Sequence, residues 1–210
     1  MSILEAKPRR GRPPKHPRDN LDTKNALIQS GIEMLTERGY MTSDIEGILK
    51  RVGVPKGSFY YYFDSKESFG REVIASYSCY FSYKLDKYLN NKSISPLERI
   101  SSFYEDARDG MAKHKFERGC LIGNLGQEVT ILPEGYRDIL NQIINDWQSR
   151  IEGCLIEAQM IGEISKNTDC KKLASFFWIG WEGAVMRAKL MKDAEPLTIF
   201  IDGFISGLSR

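Results

Sequence analysis

Twelve residues, Val52-Gly53-Val54-Pro55-Lys56-Gly57-Ser58-Phe59-Tyr60-Tyr61-Tyr62-Phe63, constrain this chain more than any other stretch. Gly53 can take the positive φ that a turn between two helices needs, and Pro55 suits the first helical position, where its missing N–H would go unpaired anyway. The spacing predicts a short helix starting near Pro55. Phe59 and Phe63 lie four apart and can bury together, while Ser58 with Tyr62 and Lys56 with Tyr60 form two more stripes. Such a helix cannot bury all five rings of Phe59 to Phe63. Tyrosine hydroxyls, Ser58 and Lys56 are suited to phosphate oxygens and base edges in a major groove. The plainer alternative makes Tyr60, Tyr61 and Tyr62 core aromatics of an ordinary helical hairpin.

The preceding residues supply the other half of a helix-turn-helix. Ser43 with Glu46 reads as a capping box that starts a helix at Asp44, with Ile45, Ile48, Leu49 and Val52 as its buried face. Ala26, Leu27, Ile28, Ile32, Met34 and Leu35 predict another helix from about Thr23 to Arg38, closed by Gly39.

Taken with Gly39-Tyr40 and Ser65-Lys66-Glu67, these motifs resemble the TetR family of bacterial transcription regulators over residues 23 to 70. The resemblance implies an all-α chain: a three-helix helix-turn-helix DNA-binding domain, then a helical ligand-binding and dimerisation domain. It implies base or phosphate contacts by Lys56, Gly57, Ser58, Tyr60, Tyr61 and Tyr62, and phosphate contacts near Ser43 and Lys66, with Phe59 and Phe63 in the core. Pro55 departs from the family's more usual serine or threonine, which removes a side-chain N-cap. The expected organisation is a basic arm at 1–22, a DNA-binding domain at 23–68, and an effector-binding and dimerisation domain at 69–210.

Charge is unevenly spread. Lys7, Arg9, Arg10, Arg12, Lys15 and Arg18 against Glu5 give the first eighteen residues +5, although the whole chain carries only +2. Basic charge therefore concentrates beside the DNA-reading unit. The proline-rich arm predicts neither helix nor strand. Two readings of Arg10-Gly11-Arg12-Pro13 stand: an extended segment placing Arg9, Arg10 and Arg12 at an A·T-rich minor groove, or a generic basic tail that adds phosphate affinity. No apolar run reaches the about eighteen residues of a membrane span, no signal peptide is evident, and four cysteines without a CxxC pair suit free thiols. A cytoplasmic protein is expected. No cofactor or metal site is expected, since His16 lies in the arm and His114 at a helix end.

Downstream the periodicity is helical throughout. Ser65 should cap a long helix to about Asn90, and Pro96 should open another to about Lys115. Further helices are expected over 121–131, 134–160, 169–191 and 196–208. The last two are rich in aromatics and small residues, and predict a homodimer interface in which Gly180 and Gly183 permit close approach. A dimer also doubles the reading of one short helix, so a pseudo-palindromic double-stranded operator is the expected partner.

Arg118-Gly119-Cys120-Leu121-Ile122-Gly123-Asn124-Leu125-Gly126-Gln127-Glu128 places glycines and polar groups within an apolar helix, which suits a ligand better than a packed core. Asn124, Gln127 and Glu128 are expected to face a small polar effector. Cys120, beside Arg118 and at a helix start, is expected either to favour thiolate or to be a small buried hydrophobe. This segment, with Phe177 to Ala184 and Arg187 to Lys189, resembles members of the same family that respond to the Michael acceptors acrylate and N-ethylmaleimide. That narrower resemblance implies a sensing role for Cys120 with Lys189 as its partner. The resulting expectation is release by an α,β-unsaturated carboxylate or related electrophile, with Arg118 or Lys189 pairing the carboxylate and Tyr104, Trp178 and Trp181 enclosing it. A thiol redox sensor, or an architectural DNA binder without effector, remains alternative. Cys79 and Cys154 are expected to pack, and Cys170 to be exposed. Scattered pairs such as Glu152 and Glu157 make no catalytic constellation, so an enzyme is not expected.

Overall fold

A computed structural model describes the backbone of residues 20–208 and side chains from residue 22 onward. Its described residues form nine α-helices and no strand: α1 (Asn20–Arg38), α2 (Ile45–Val52), α3 (Lys56–Tyr62), α4 (Lys66–Leu89), α5 (Pro96–Lys113), α6 (Leu121–Gln127), α7 (Tyr136–Met160), α8 (Cys170–Met191) and α9 (Glu195–Leu208). The arm residues Arg9, Arg10 and Arg12 lie outside the described residues.

Helices α1 to α3 make the head. The cap of α2 falls one residue later than the capping box predicts: Asp44, in extended conformation, accepts from the Gly47 N–H. Ser43 is instead buried, and its hydroxyl donates to the Gly39 carbonyl at 2.6 Å. The turn closes through Gly53, at φ 73°, whose N–H bonds the Leu49 carbonyl. Pro55 is the cap of α3 rather than its first helical residue, with ψ 158° and no side-chain cap hydrogen bond. Phe59 and Phe63 bury together against Phe69 of α4, with ring centroids 5.2 and 4.9 Å from it.

A full capping box at Ser65 and Ser68 starts α4. This helix buries Phe69, Val73 and Ile74 near the head and Tyr77, Phe81, Leu85 and Leu89 in the body, so one core runs through both. The expected boundary between residues 68 and 69 falls inside it. A second capping box, Ser95 with Glu98, opens α5 at Pro96. In the body, α4, α5, α7 and α8 surround packed aromatics: Phe81 and Trp147 centroids are 4.4 Å apart, and Trp147 and Trp178 are 5.2 Å apart. The Trp147 indole N–H donates to the Ser82 hydroxyl. Arg99 is buried among polar partners, donating to the Leu89 and Ile94 carbonyls and pairing with Glu157 at 2.6 Å.

Two cysteine expectations are reversed. Cys79 is exposed and Cys170 is buried, whereas Cys154 packs as expected. Among the described residues no helix is long and apolar enough to cross a membrane, and no group of acidic, histidine and cysteine side chains is placed to hold a metal ion.

Candidate functional site

Only Phe59 of α3 is fully buried, which leaves the rest of that short helix to face outward. Lys56 and Gly57 are exposed, Tyr60 and Tyr61 are 52% and 70% exposed, and Ser58 and Tyr62 are half-buried. Tyr61 and Tyr62 meet edge to face with centroids 4.8 Å apart, which holds part of the aromatic surface in a fixed shape. Two neighbours behave differently. The Ser43 hydroxyl is spent inside the head and stands behind this surface. Lys66 turns inward: its ammonium donates to the Tyr40 carbonyl at 2.9 Å and lies 4.4 Å from that ring's centroid, while desolvation lowers its pKa.

Helix α6 sits between the head and α8. Its polar side chains Asn124 and Gln127 line a cavity, and Asn124 also reaches the end of α1. The Asn124 amide donates to the Leu35 and Thr36 carbonyls at 3.0 and 2.9 Å; the Leu35 carbonyl also accepts the Gly39 N–H, whereas that of Thr36 is one that a helix C-terminus leaves without an intrahelical partner. Glu128 accepts the N–H groups of Tyr40 and Met41 at 2.7 and 3.2 Å. Arg118 pairs with Glu33 and Glu37 of α1, and this lowers the pKa of Glu37, which Arg51 holds first. The Gly119 N–H and the Lys189 ammonium both donate to the Thr36 carbonyl. Asn124, Glu128 and Arg118, expected to hold an effector, thus clasp body to head.

Cys120 caps α6, its sulfur accepting from the Gly123 N–H at 3.4 Å. The expected thiolate is not supported: burial first, then the Glu182 carboxyl, holds the thiol well above its usual range. Arg118, expected to oppose this, is engaged by α1. Burial likewise raises the Glu182 pKa to about 7. Tyr77 of α4 completes the cluster, with its hydroxyl pushed upward by burial and then by Cys120.

Cys120 lies between two cavities. One, of 690 Å³, runs between α6 and α8; Cys120, Asn124, Gln127, Glu182 and Lys189 line it, and Ile179, Met186 and Leu190 form an apolar rim. Burial lowers the Lys189 pKa. The other, of 330 Å³, reaches Cys120 from the side of α4 and α5, past Lys84, His114, Arg118 and Trp181. Trp178 and Tyr104 line neither: Trp178 is buried among Phe81, Phe103 and Trp147, and the Tyr104 hydroxyl shares a 2.8 Å hydrogen bond with Thr198. Sequence reasoning gave Glu182 no role. Its only local signal was a carboxylate between Trp181 and Gly183 in an otherwise apolar stretch.

The outer face of α8 carries Phe176, Ile179, Met186 and Leu190, all exposed, with Ile199 of α9 beside them. Gly180 is used within the chain, where an added Cβ would lie 2.3 Å from the Phe200 ring, whereas Gly183 faces open space.

Residues 27–73 match the family described as bacterial regulatory proteins, tetR family, and residues 96–204 match the tetracyclin repressor-like C-terminal domain. The chain is 46% identical over 198 residues to the transcriptional regulator AcuR of Cereibacter sphaeroides, covering 94% of this chain and 90% of that one. The crystal structure of regulatory protein TetR from Rhodobacter sphaeroides superposes with a TM-score of 0.86 at 45% identity, over 88% of this chain and 97% of that one. The reduced form of E. coli NemR superposes with a TM-score of 0.79 at 26% identity, over 87% and 95%.

Proposed function

Because this chain belongs to the TetR family of bacterial regulatory proteins, a family of DNA-binding transcription regulators and not of enzymes, we propose that it is a homodimeric repressor released by a small electrophilic effector. Residues 23–68 read a pseudo-palindromic operator through Lys56, Gly57, Ser58, Tyr60, Tyr61 and Tyr62. Residues 69–210 hold the effector and the second copy. The arm residues Arg9, Arg10 and Arg12 add minor-groove contacts.

The observation that carries the effector reading is the position of Cys120. Its thiol stands on the wall of a 690 Å³ cavity, and the helix it caps grips the end of α1 through Asn124. An α,β-unsaturated carboxylate such as acrylate fits: Lys189 supplies a cation for the carboxylate and Cys120 a sulfur for the β carbon. Addition to such a molecule and oxidation by peroxide both proceed through the thiolate, which burial makes scarce at Cys120. Filling the cavity would shift α6, and with it the hold on α1 and the spacing of the two heads, which must match one DNA turn, about 34 Å.

The second copy has a surface to cover. Phe176, Ile179, Met186 and Leu190 make an exposed apolar stripe along α8, and Ile179, Met186 and Leu190 also rim the cavity. A partner helix laid there would close the cavity as it buries the stripe.

The test is a gel-shift titration. Operator duplexes selected by the protein from a random library are exposed to acrylate, N-ethylmaleimide and peroxide, with native protein and Cys120→Ser. Release by acrylate or the maleimide, lost in the variant, is expected. Release by none removes the sensing role, and undiminished release of Cys120→Ser removes the thiol from it. Light scattering at micromolar concentration should give a dimer mass; a monomer would overturn the assembly.

A further inference from the structure

Glu182 is the group in this molecule whose placement is hardest to explain by packing. It projects from the otherwise apolar middle of α8 into the cavity beside Cys120. Its Oε1 atom is shut off from solvent and has no hydrogen-bond partner, although a buried polar atom left in this way costs about 1–3 kcal/mol. The Cys120 thiol is the carboxyl's side-chain hydrogen-bond partner, yet Oε1 still lacks a donor. None of the nearby cations supplies one: Lys189 points to Thr36, and Arg118 to Glu33 and Glu37.

The local backbone is shaped around this carboxyl. A Cβ on Gly123 would lie 1.8 Å from Glu182 Oε2, so the carboxyl can rest against α6 in this position because residue 123 has no side chain. The same Gly123 donates its N–H to the Cys120 sulfur. Thiol, glycine and carboxyl therefore form one compact unit at the cavity wall. The groups that face Glu182 are Cys120 at the start of α6, Tyr77 from α4, and Lys189 from α8 itself, which lines the same cavity.

We propose that Glu182 is the proton carrier for addition of a conjugated electrophile to Cys120, taking the thiol proton and returning it to the product. The step balances. As the sulfur electron pair forms the S–C bond to the β carbon, the Sγ–H proton passes to the Glu182 carboxylate. The C=C π pair moves to the α carbon, and the Glu182 carboxylic acid protonates it there. The product is a thioether, Glu182 is regenerated, and nothing is oxidised or reduced. This role rests on the reading of Cys120 as the sensing thiol.

The arrangement explains how an inert thiol can react at all. Burial keeps Cys120 protonated, so its thiolate is scarce near neutrality. Glu182 titrates at about 7, and a base is most effective when its pKa lies near the working pH.

Two physical effects of this carboxylate have opposite signs, and that makes the test decisive. As a mere negative neighbour, Glu182 suppresses the thiolate, so Glu182→Gln would react faster. As a proton carrier it is needed, so Glu182→Gln would react slower, by roughly a hundredfold or more. Full-length protein is exposed to acrylate and to N-ethylmaleimide between about pH 5 and pH 9, and the Cys120 adduct is followed by intact mass and peptide mapping. Native protein should gain rate as pH rises through about 7, following Glu182. In Glu182→Gln the slow residual rate should rise only at the more alkaline pH of a buried thiol, and Glu182→Asp should recover part of the loss.

Gly123→Ala, which keeps both titrating groups but displaces the carboxyl, should slow the reaction too. Far-UV circular dichroism and a thermal melt verify that each variant is folded. An equal or faster rate in folded Glu182→Gln or Gly123→Ala overturns the role of Glu182 while leaving Cys120 as the sensor. Absence of any Cys120 adduct in native protein overturns both.

Discussion

Helices α3 and α6 are both seven residues long and both contain glycine, yet they use their side chains in opposite ways. α3 buries only Phe59 and turns its polar and aromatic groups outward. α6 buries Leu121, Ile122 and Leu125, and its polar groups meet α1 on one side and a cavity on the other. In the function proposed above, α3 reads DNA, which needs its chemistry exposed and its backbone held from behind. There α6 transmits a signal, which needs partners on both faces, and these come from distant parts of the chain.

The sharpest way to break this contrast is Phe59→Ala. If one buried ring holds α3, its loss should cost about 3–5 kcal/mol and abolish specific operator binding, read by urea denaturation and gel shift. A loss below about 1 kcal/mol would show that α3 is held by its neighbours instead.

The next largest effect lies beside α6 and depends on pH. Glu182 holds its proton to about 7 in the folded protein, against a usual value of 4.5. Between those values the folded state binds more protons than the unfolded chain, so stability falls as pH rises through this window, by about 3 kcal/mol in all. Urea midpoints at pH 5 and pH 8 should show Glu182→Gln lacking this decline and gaining on native protein at the higher pH. An identical slope in the variant would place the titration elsewhere.

Asn124→Ala removes two donors from the end of α1 and should cost about 1–3 kcal/mol. Hydrogen exchange should quicken at the junction of α1 and α6 and not at α3. Quickening spread evenly over the head would remove the distinction between the two helices.

Lys56→Ala should have the smallest effect. It should leave the fold intact, weaken operator binding about tenfold, and reduce the slope of log affinity against log salt by about one. An unchanged slope would take Lys56 off the phosphate backbone.

This contrast also explains what could be read in advance. The turn at Gly53, the pairing of Phe59 with Phe63 and the start of α4 at Ser65 rest on residues within a few positions of each other, and they stand in the structure. The cap of α2 was misplaced by one residue because Ser43 and Asp44 are both competent caps, and only burial of Ser43 decides between them. Arg118, Asn124 and Glu128 were legible as polar groups on an apolar segment, but their partners on α1 and just after it lie more than eighty residues earlier. The reversed exposures of Cys79 and Cys170 have the same origin, since a helical period shows which residues share a face but not which face a neighbour covers. Glu182 went unassigned because its meaning depends on a glycine and a cysteine on another helix.

The Thr36 carbonyl has room for two donors and is approached by three: the Asn124 amide at 2.9 Å, the Gly119 N–H at 3.2 Å and the Lys189 ammonium at 3.3 Å. They compete for it, so none is indispensable. Lys189 is the farthest and the most freely rotating of the three, so it is the donor that leaves most readily. The joint between head and body thus carries a spare donor, and the Thr36 carbonyl stays bonded when the Lys189 ammonium swings away.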